Sequence, residues 1–237
     1  MGSLQPRRLS PGGTVAAATV LLAVAVLLGG ILLADPRRPP FQSADTAWHD
    51  AMLGLRNPFW DAVNLVLNWA GYTGMFVFHA LLGAALLARR RPKMALFSVV
   101  AGVAVTLLVQ LLKWLIQRPR PGDAGVFTET YSYPSGHASS TAAFVVAAAL
   151  LIGRAWAWVL AALGAVSMML SRTYLAAHWL SDVLGGACLA AAVVLLLWLP
   201  VQEACLAENI DARRILTWKA RVSRRRRGAG PAGSAPR

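Results

Sequence analysis

Charge is what this sequence has least of. Only 14% of its 237 residues are charged, and 10 Asp and Glu face 23 Lys and Arg. A soluble domain carries roughly 25% charged residues, so a separate water-facing domain is excluded. The few carboxylates are scattered, with no cluster of the kind that holds magnesium through oxygen ligands. The two cysteines, Cys188 and Cys205, have neither zinc nor redox spacing and are expected as free thiols. A formal charge of +13 suggests nucleic acid, but most basic residues lie in short segments between apolar runs. No zinc-finger or other nucleic-acid signature accompanies them, so nucleic acid is not an expected partner.

Long apolar runs are what remains. Thr14 to Ala34 extends over 21 residues, about 31 Å as a helix, enough to cross a hydrocarbon core. Arg7 and Arg8 precede it as in a secretory signal. The run exceeds the roughly 7–15 apolar residues of such signals and no small-x-small site follows, so it reads as a retained span. Further spans are expected at Tyr72 to Ala88, Met94 to Ile116, His137 to Ile152, Ala155 to Leu170 and Trp179 to Leu199. Tyr72 to Ala88 is short and is expected to borrow from the helix before it. Between the first two spans, Ala47, Trp48, Ala51, Met52 and Leu55 fall on one helical face. Asn57-Pro58 breaks the pattern, and Phe59 to Ala70 resumes it. These two stretches read as interfacial helices rimmed by Trp48, Trp60 and Trp69. The expected fold is an all-α polytopic membrane bundle of six transmembrane helices. It divides into a short tail over residues 1–13, a membrane domain over 14–200 and a basic, partly disordered tail over 201–237.

Six spans put both termini on one side. With the termini cytoplasmic, cytoplasmic segments hold 16 Lys and Arg against 7 outside, as the positive-inside rule requires. The basic C-terminal tail, with Ile215, Trp218 and Val222 as a potential apolar side, has two readings. It binds anionic lipid, or it is a solvated tail that only enforces topology.

Three clusters of ionisable residues stand at span ends, and all three fall on the face opposite the termini. Lys113 is followed by Arg120-Pro121; Pro134-Ser135-Gly136-His137 opens the fourth span; Ser171-Arg172, His178 and Asp182 join the fifth to the sixth. Lys113, Arg120 and Arg172 would repel one another near a membrane unless a multiply charged anion bound among them. Phosphate suits forked arginine donors and a lysine point charge. Ser135 and Gly136 begin a helix, where free N–H groups favour the same anion. His178 and Asp182, four residues apart, share a helical face. The carboxylate there can fix the tautomer and leave the other ring nitrogen free to attack. His137, from another segment, can supply a proton. Each residue also has a plain structural reading as snorkelling anchor, helix-start turn or buried pair. Together they compose a phosphoryl-transfer site. His79, inside a span and outside these clusters, reads as a neutral residue packed against other helices, and His49 as interfacial.

Lys-x6-Arg-Pro, Pro-Ser-Gly-His and Ser-Arg-x5-His-x3-Asp, in that order, resemble the type 2 phosphatidic acid phosphatase superfamily, with all eleven specified positions present. The superfamily includes bacterial lipid phosphatases, undecaprenyl pyrophosphate phosphatases, glucose-6-phosphatases and vanadium haloperoxidases. The resemblance implies a metal-independent phosphatase of lipid phosphates without cofactor. It implies His178 as nucleophile, His137 as acid, and Lys113, Arg120, Ser135, Gly136 and Arg172 around phosphate, with Arg118 in a supporting role. The substrate expected is a lipid phosphate of phosphatidic acid, phosphatidylglycerol phosphate or polyprenyl pyrophosphate type, met at the extracytoplasmic face of the cell membrane. A vanadium haloperoxidase-like enzyme and a non-catalytic lipid-phosphate binding or transport protein are the competing classes.

Overall fold

A computed structural model of the chain describes the backbone of residues 8–71, 73–122, 124, 126 and 130–228, with side chains as far as Glu208. Every element among these residues is helical: α1 (Pro11–Ala34), α2 (Gln42–Gly54), α3 (Pro58–Gly71), α4 (Thr73–Ala88), α5 (Pro92–Ile116), α6 (Gly136–Ile152), α7 (Ala155–Tyr174) and α8 (Leu180–Gly228). The all-α polytopic reading holds. Helices α1, α5, α7 and the Leu180–Glu208 part of α8 are each long and apolar enough to cross a membrane. The pair α3–α4, bent by 51°, passes the same test when taken as one unit. The 17 residues of α6 are apolar but fall below spanning length. Six helices thus stand where six spans were expected, while length and composition support four spans, or five with the bent pair.

Local chemistry sets the boundaries. Pro11 and Pro92 open α1 and α5, where the missing N–H costs nothing. Gln117 ends α5 with φ 52°, its N–H bonded to Lys113 O, and the prolines at 119 and 121 prevent the helix from resuming. Ser135 caps α6, its Oγ accepting from Ala138 N at 3.4 Å, and Gly153 ends it at φ 67°. The expected boundary at residue 200 is not a break. Helix α8 runs through Pro200 as far as Gly228, so the 201–228 part of the basic tail is helical. The side chains proposed for its apolar side, Ile215, Trp218 and Val222, lie outside the described residues, as do Arg7 and everything beyond 228.

The core is built from small residues. Ala18 on α1, Ala142, Ala143 and Ala147 on α6, and Ala190 and Ala192 on α8 are all buried, which lets helix backbones approach where lipid offers no hydrophobic drive. Trp198 of α8 fills the remaining space against Phe97 of α5. The outer surface is the reverse: Leu27, Leu33, Phe76, Leu81, Leu107 and Trp114 are each more than 60% exposed. Apolar exposure on that scale belongs to a surface that meets lipid. Cys188 and Cys205 are free thiols.

Candidate active site

The loop before α6 and the start of α8 are pressed together. Tyr133 lies buried between α1 and α8 and donates its hydroxyl to Ala25 O at 2.7 Å. A Cβ on Gly185 would strike the Tyr133 ring, and one on Gly186 would come within 2.9 Å of Ser135 O. Only glycine at both positions permits this approach. Ser135 N then donates to Asp182 O at 3.1 Å, so the second and third clusters share one scaffold.

His178 sits in the turn after α7, 3% exposed. The turn is fixed by Ala176 at φ 52° and by Ala177 N donating to Arg172 O at 3.1 Å. Arg120 Nη1 stands 3.1 Å from His178 Nε2. A guanidinium can only donate, so Nε2 must hold a lone pair and the ring proton must be on Nδ1. On that side Asp182 Oδ2 lies at 3.6 Å and Ser132 Oγ at 3.4 Å. Asp182 thus lies on the Nδ1 side of the ring and Arg120 on the Nε2 side. Burial, then the charges of Arg120, Lys113 and Arg172, hold the His178 imidazole well below its usual pKa, so it is neutral. Burial also lowers Arg120, against the opposing pull of Asp182.

Asp182 is fully buried and saturated with donors. Oδ2 accepts from Ser132 Oγ and from Trp179 N at 2.9 Å. Oδ1 accepts from Arg118 Nη1 at 2.6 Å. Arg118, given only a supporting role from the sequence, is 0% exposed and is the centre of this network. Its Nη2 pairs with Asp45 Oδ2 of α2 at 2.7 Å, and its guanidinium lies between the rings of Phe41 and Trp179. Asp45 also accepts from Ser181 N at 2.9 Å and Ser181 Oγ at 2.6 Å. An unbroken chain of contacts thus runs His178–Asp182–Arg118–Asp45.

On the other side of His178 opens a cavity of about 830 Å³. Lys113, Arg120, Gly136, His137, Arg172 and His178 all border it, so six of the eight expected site residues converge. The remaining two stand behind the wall: Asp182 under His178, and Ser135 as the cap of α6. Lys113 Nζ is held by the carbonyls of Tyr131 and Ser132. Arg120 is braced by Thr130 O at 2.6 Å and Ala177 O at 2.5 Å. Arg172 Nη1 bonds Asn68 Oδ1 of α3, while its buried Nε has no partner. A Cβ at Gly136 would meet only Val109 Cγ1, at 4.0 Å. That glycine therefore keeps cavity space open instead of relieving a clash. Among the described residues, no group of three His, Cys, Asp or Glu side chains could hold a metal ion.

Sequence reasoning missed Asp45, Ser132, Ser181 and Asn68. Asp45 and Asn68 lie in helices that read as interfacial. Asp45 sits in the first turn of α2, where an acidic residue needs no further reason. Only its position beside Arg118, 73 residues away, gives it a role.

The PAP2 superfamily model matches residues 92–204, which include all three clusters. The chain is 40% identical over 119 residues to decaprenylphosphoryl-5-phosphoribose phosphatase of Mycobacterium tuberculosis. That alignment covers 48% of this chain and 64% of the relative, less than two thirds of its length. Phosphatidylglycerophosphatase B of Bacillus subtilis is 29% identical over 167 residues, 66% of this chain and 82% of that one. The crystal structure of a transmembrane PAP2-type phosphatidylglycerolphosphate phosphatase from Bacillus subtilis superposes with a TM-score of 0.69 at 27% identity. It covers 77% of this chain and 96% of its own. The fold is that of a polytopic membrane protein, and residues 92–204 of the chain are similar to the PAP2 superfamily.

Proposed function

We propose that this protein is a membrane phosphatase that removes a terminal phosphate from a lipid through a phosphohistidine on His178. The observation that carries the reading is the setting of His178. Its Nε2 lone pair is directed by Arg120 to the cavity wall, and its Nδ1–H faces Asp182. Substrate phosphate takes over the Arg120 donor and lies among Lys113, Arg120, Arg172 and the N-terminus of α6. The Nε2 lone pair forms the N–P bond as the P–O bond to the lipid breaks. The electron pair leaves on that oxygen, which takes a proton from His137. Asp182, held in place by Arg118 and Ser132, stabilises the imidazolium. Water then attacks phosphorus, gives its proton to His137, and the N–P bond breaks with its pair returning to Nε2. The cations stabilise charge on the equatorial oxygens in both steps, the work a metal does in other phosphoryl transferases.

The names of the relatives support lipid-linked phosphate as the substrate class. The distribution of Lys and Arg supports an extracytoplasmic site with cytoplasmic termini. The decisive experiment is rapid quench of detergent-purified protein with a radiolabelled lipid phosphate. Acid-labile label should appear on wild type and be missing from His178→Ala, together with phosphate release. Label persisting on His178→Ala would overturn the mechanism.

A further inference from the structure

Lys113, Arg120 and Arg172, the cations that border the cavity, are all anchored by neutral oxygens. Lys113 Nζ donates to Tyr131 O and Ser132 O, and Arg120 donates to Thr130 O, Tyr131 O and Ala177 O. Arg172 Nη1 donates to the side-chain oxygen of Asn68. Among the described residues, no carboxylate forms an ion pair with any of the three. Arg118, behind His178, is held in the opposite way, by Asp45 at 2.7 Å and Asp182 at 2.6 Å. A carboxylate partner cancels the charge that it holds. An amide or carbonyl oxygen orients the cation and leaves its charge for a ligand.

Backbone carbonyls anchor Lys113 and Arg120 whatever side chains the loop carries, but the anchor of Arg172 depends on the residue at 68. Asn68 borders the cavity beside Arg172, and the end of α3 that carries it is pinned to α6 and α7. Ser140 Oγ donates to Gly71 O at 3.0 Å. A Cβ on Gly71 would crowd Met168 and come within 3.0 Å of His137 Cδ2, so the bare backbone there leaves room for both. The Asn68 carbonyl is also a hydrogen-bond partner of the His137 ring. One residue of α3 thus meets the proposed acid through its backbone and a phosphate-binding arginine through its side chain. Aspartate would offer Arg172 an acceptor of the same shape together with a negative charge. Asparagine offers the acceptor alone.

We infer that Asn68 is a positioning residue for the phosphoryl group: it aims Arg172 at the bound anion while leaving the positive charge of the cradle undiminished. The neutral amide at 68 thereby sets the affinity of the site for a phosphate dianion. This role rests on the phosphate cradle of the function proposed above.

The probe is inorganic phosphate, added to detergent-purified full-length protein at constant ionic strength in chloride. Binding is read from the rise in unfolding temperature. Asn68→Asp keeps an acceptor for Arg172 and should unfold no earlier than wild type when phosphate is absent. It should nevertheless bind phosphate about tenfold or more weakly, since a charge within about 4–6 Å shifts an ionisation by about 1–3 pK units. Asn68→Leu removes the acceptor but not the charge of the cradle, and its affinity should fall between the two. A merely structural asparagine predicts the other order, with Asn68→Asp close to wild type and Asn68→Leu the weakest. Phosphate binding by Asn68→Asp that equals wild type or exceeds Asn68→Leu therefore overturns the inference, as does a wild type that phosphate fails to stabilise. Lipid-phosphate turnover that is absent from wild type, or that survives His178→Ala, overturns the phosphohistidine reading instead. The order of phosphate binding then decides the role of Asn68 separately, because it needs no turnover.

Discussion

The two faces of His178 are built on opposite principles. Behind it, Asp182, Arg118, Asp45 and Ser181 form a dry network whose three charged members are each at most 2% exposed. Both carboxylates there accept on both oxygens. In front, Arg172 Nε has no partner, and Arg120 directs a donor at His178 Nε2. Carboxylates bonded on both oxygens have one arrangement and hold the imidazole still, although Arg118 Nε has no partner, whereas cations facing a cavity gain most when an anion arrives. Rigidity is placed where orientation matters and unused bonding capacity where the substrate sits.

The sharpest way to break the back face is Asp182→Asn. An amide can donate to His178 Nδ1 and so invite the wrong tautomer, with Nε2 protonated. Such a change costs about 10⁴-fold in kcat in a comparable His–Asp pair, and a loss of about 10³-fold or more is expected here with little change in KM. Steady-state kinetics on the detergent-purified variant would show it; a loss confined to KM would mean that Asp182 does not govern the tautomer. Arg118→Met should act on stability as well as rate. It leaves Asp45 and Asp182 as buried, unpaired carboxylates, and breaking a buried pair in this way costs about 3–5 kcal/mol. Thermal unfolding in detergent measures it, and an unchanged midpoint would show the network to be dispensable.

The front face gives a smaller, directional effect. In the proposed mechanism neutral His178 attacks, and its pKa lies well below 6.5, with Arg120 the first charge that depresses it after burial. The acid limb of kcat/KM due to His178 should therefore fall well below pH 6.5. Arg120→Gln removes a positive neighbour, so the imidazole holds its proton more readily and that limb should move up toward 6.5. A pH–rate profile of both proteins decides it, since the titration of the substrate phosphate is common to the two. The smallest perturbation sharpens which side of the membrane the front face opens on. With Cys188 and Cys205 replaced, Ala124→Cys should react with an impermeant maleimide in intact cells and Pro92→Cys only after lysis. The reverse pattern would overturn the topology while leaving the chemistry intact.

Much of the front face was legible in one dimension. Lys113, Arg120, Gly136, His137, Arg172 and His178 announce themselves because charged or catalytic residues at span ends are costly and must be justified. The helices were legible for a similar reason, since lipid leaves the backbone no partners but its own. The back face was nearly illegible. Asp45 and Ser181 are ordinary in their own segments and acquire meaning only across 136 residues. Arg118 stands two residues before the first motif's arginine and looks like its neighbour, yet it points away from the cavity, toward Phe41 and Trp179.

By itself, then, the sequence determined an all-helical membrane chain with clustered cations and a His–Asp pair at its span ends. Periodicity, hydropathy and residue chemistry are local properties, readable without coordinates. Only the tertiary structure decided that Asp182 answers to Arg118 and Asp45, that Ser135 works as a cap behind the wall, and that the helix of residue 180 continues to 228. It alone set His79 against Gly102 at the far end of the same cavity. These depend on which helix faces meet, and a hydrogen bond between distant segments has no signature in either segment until packing brings them together.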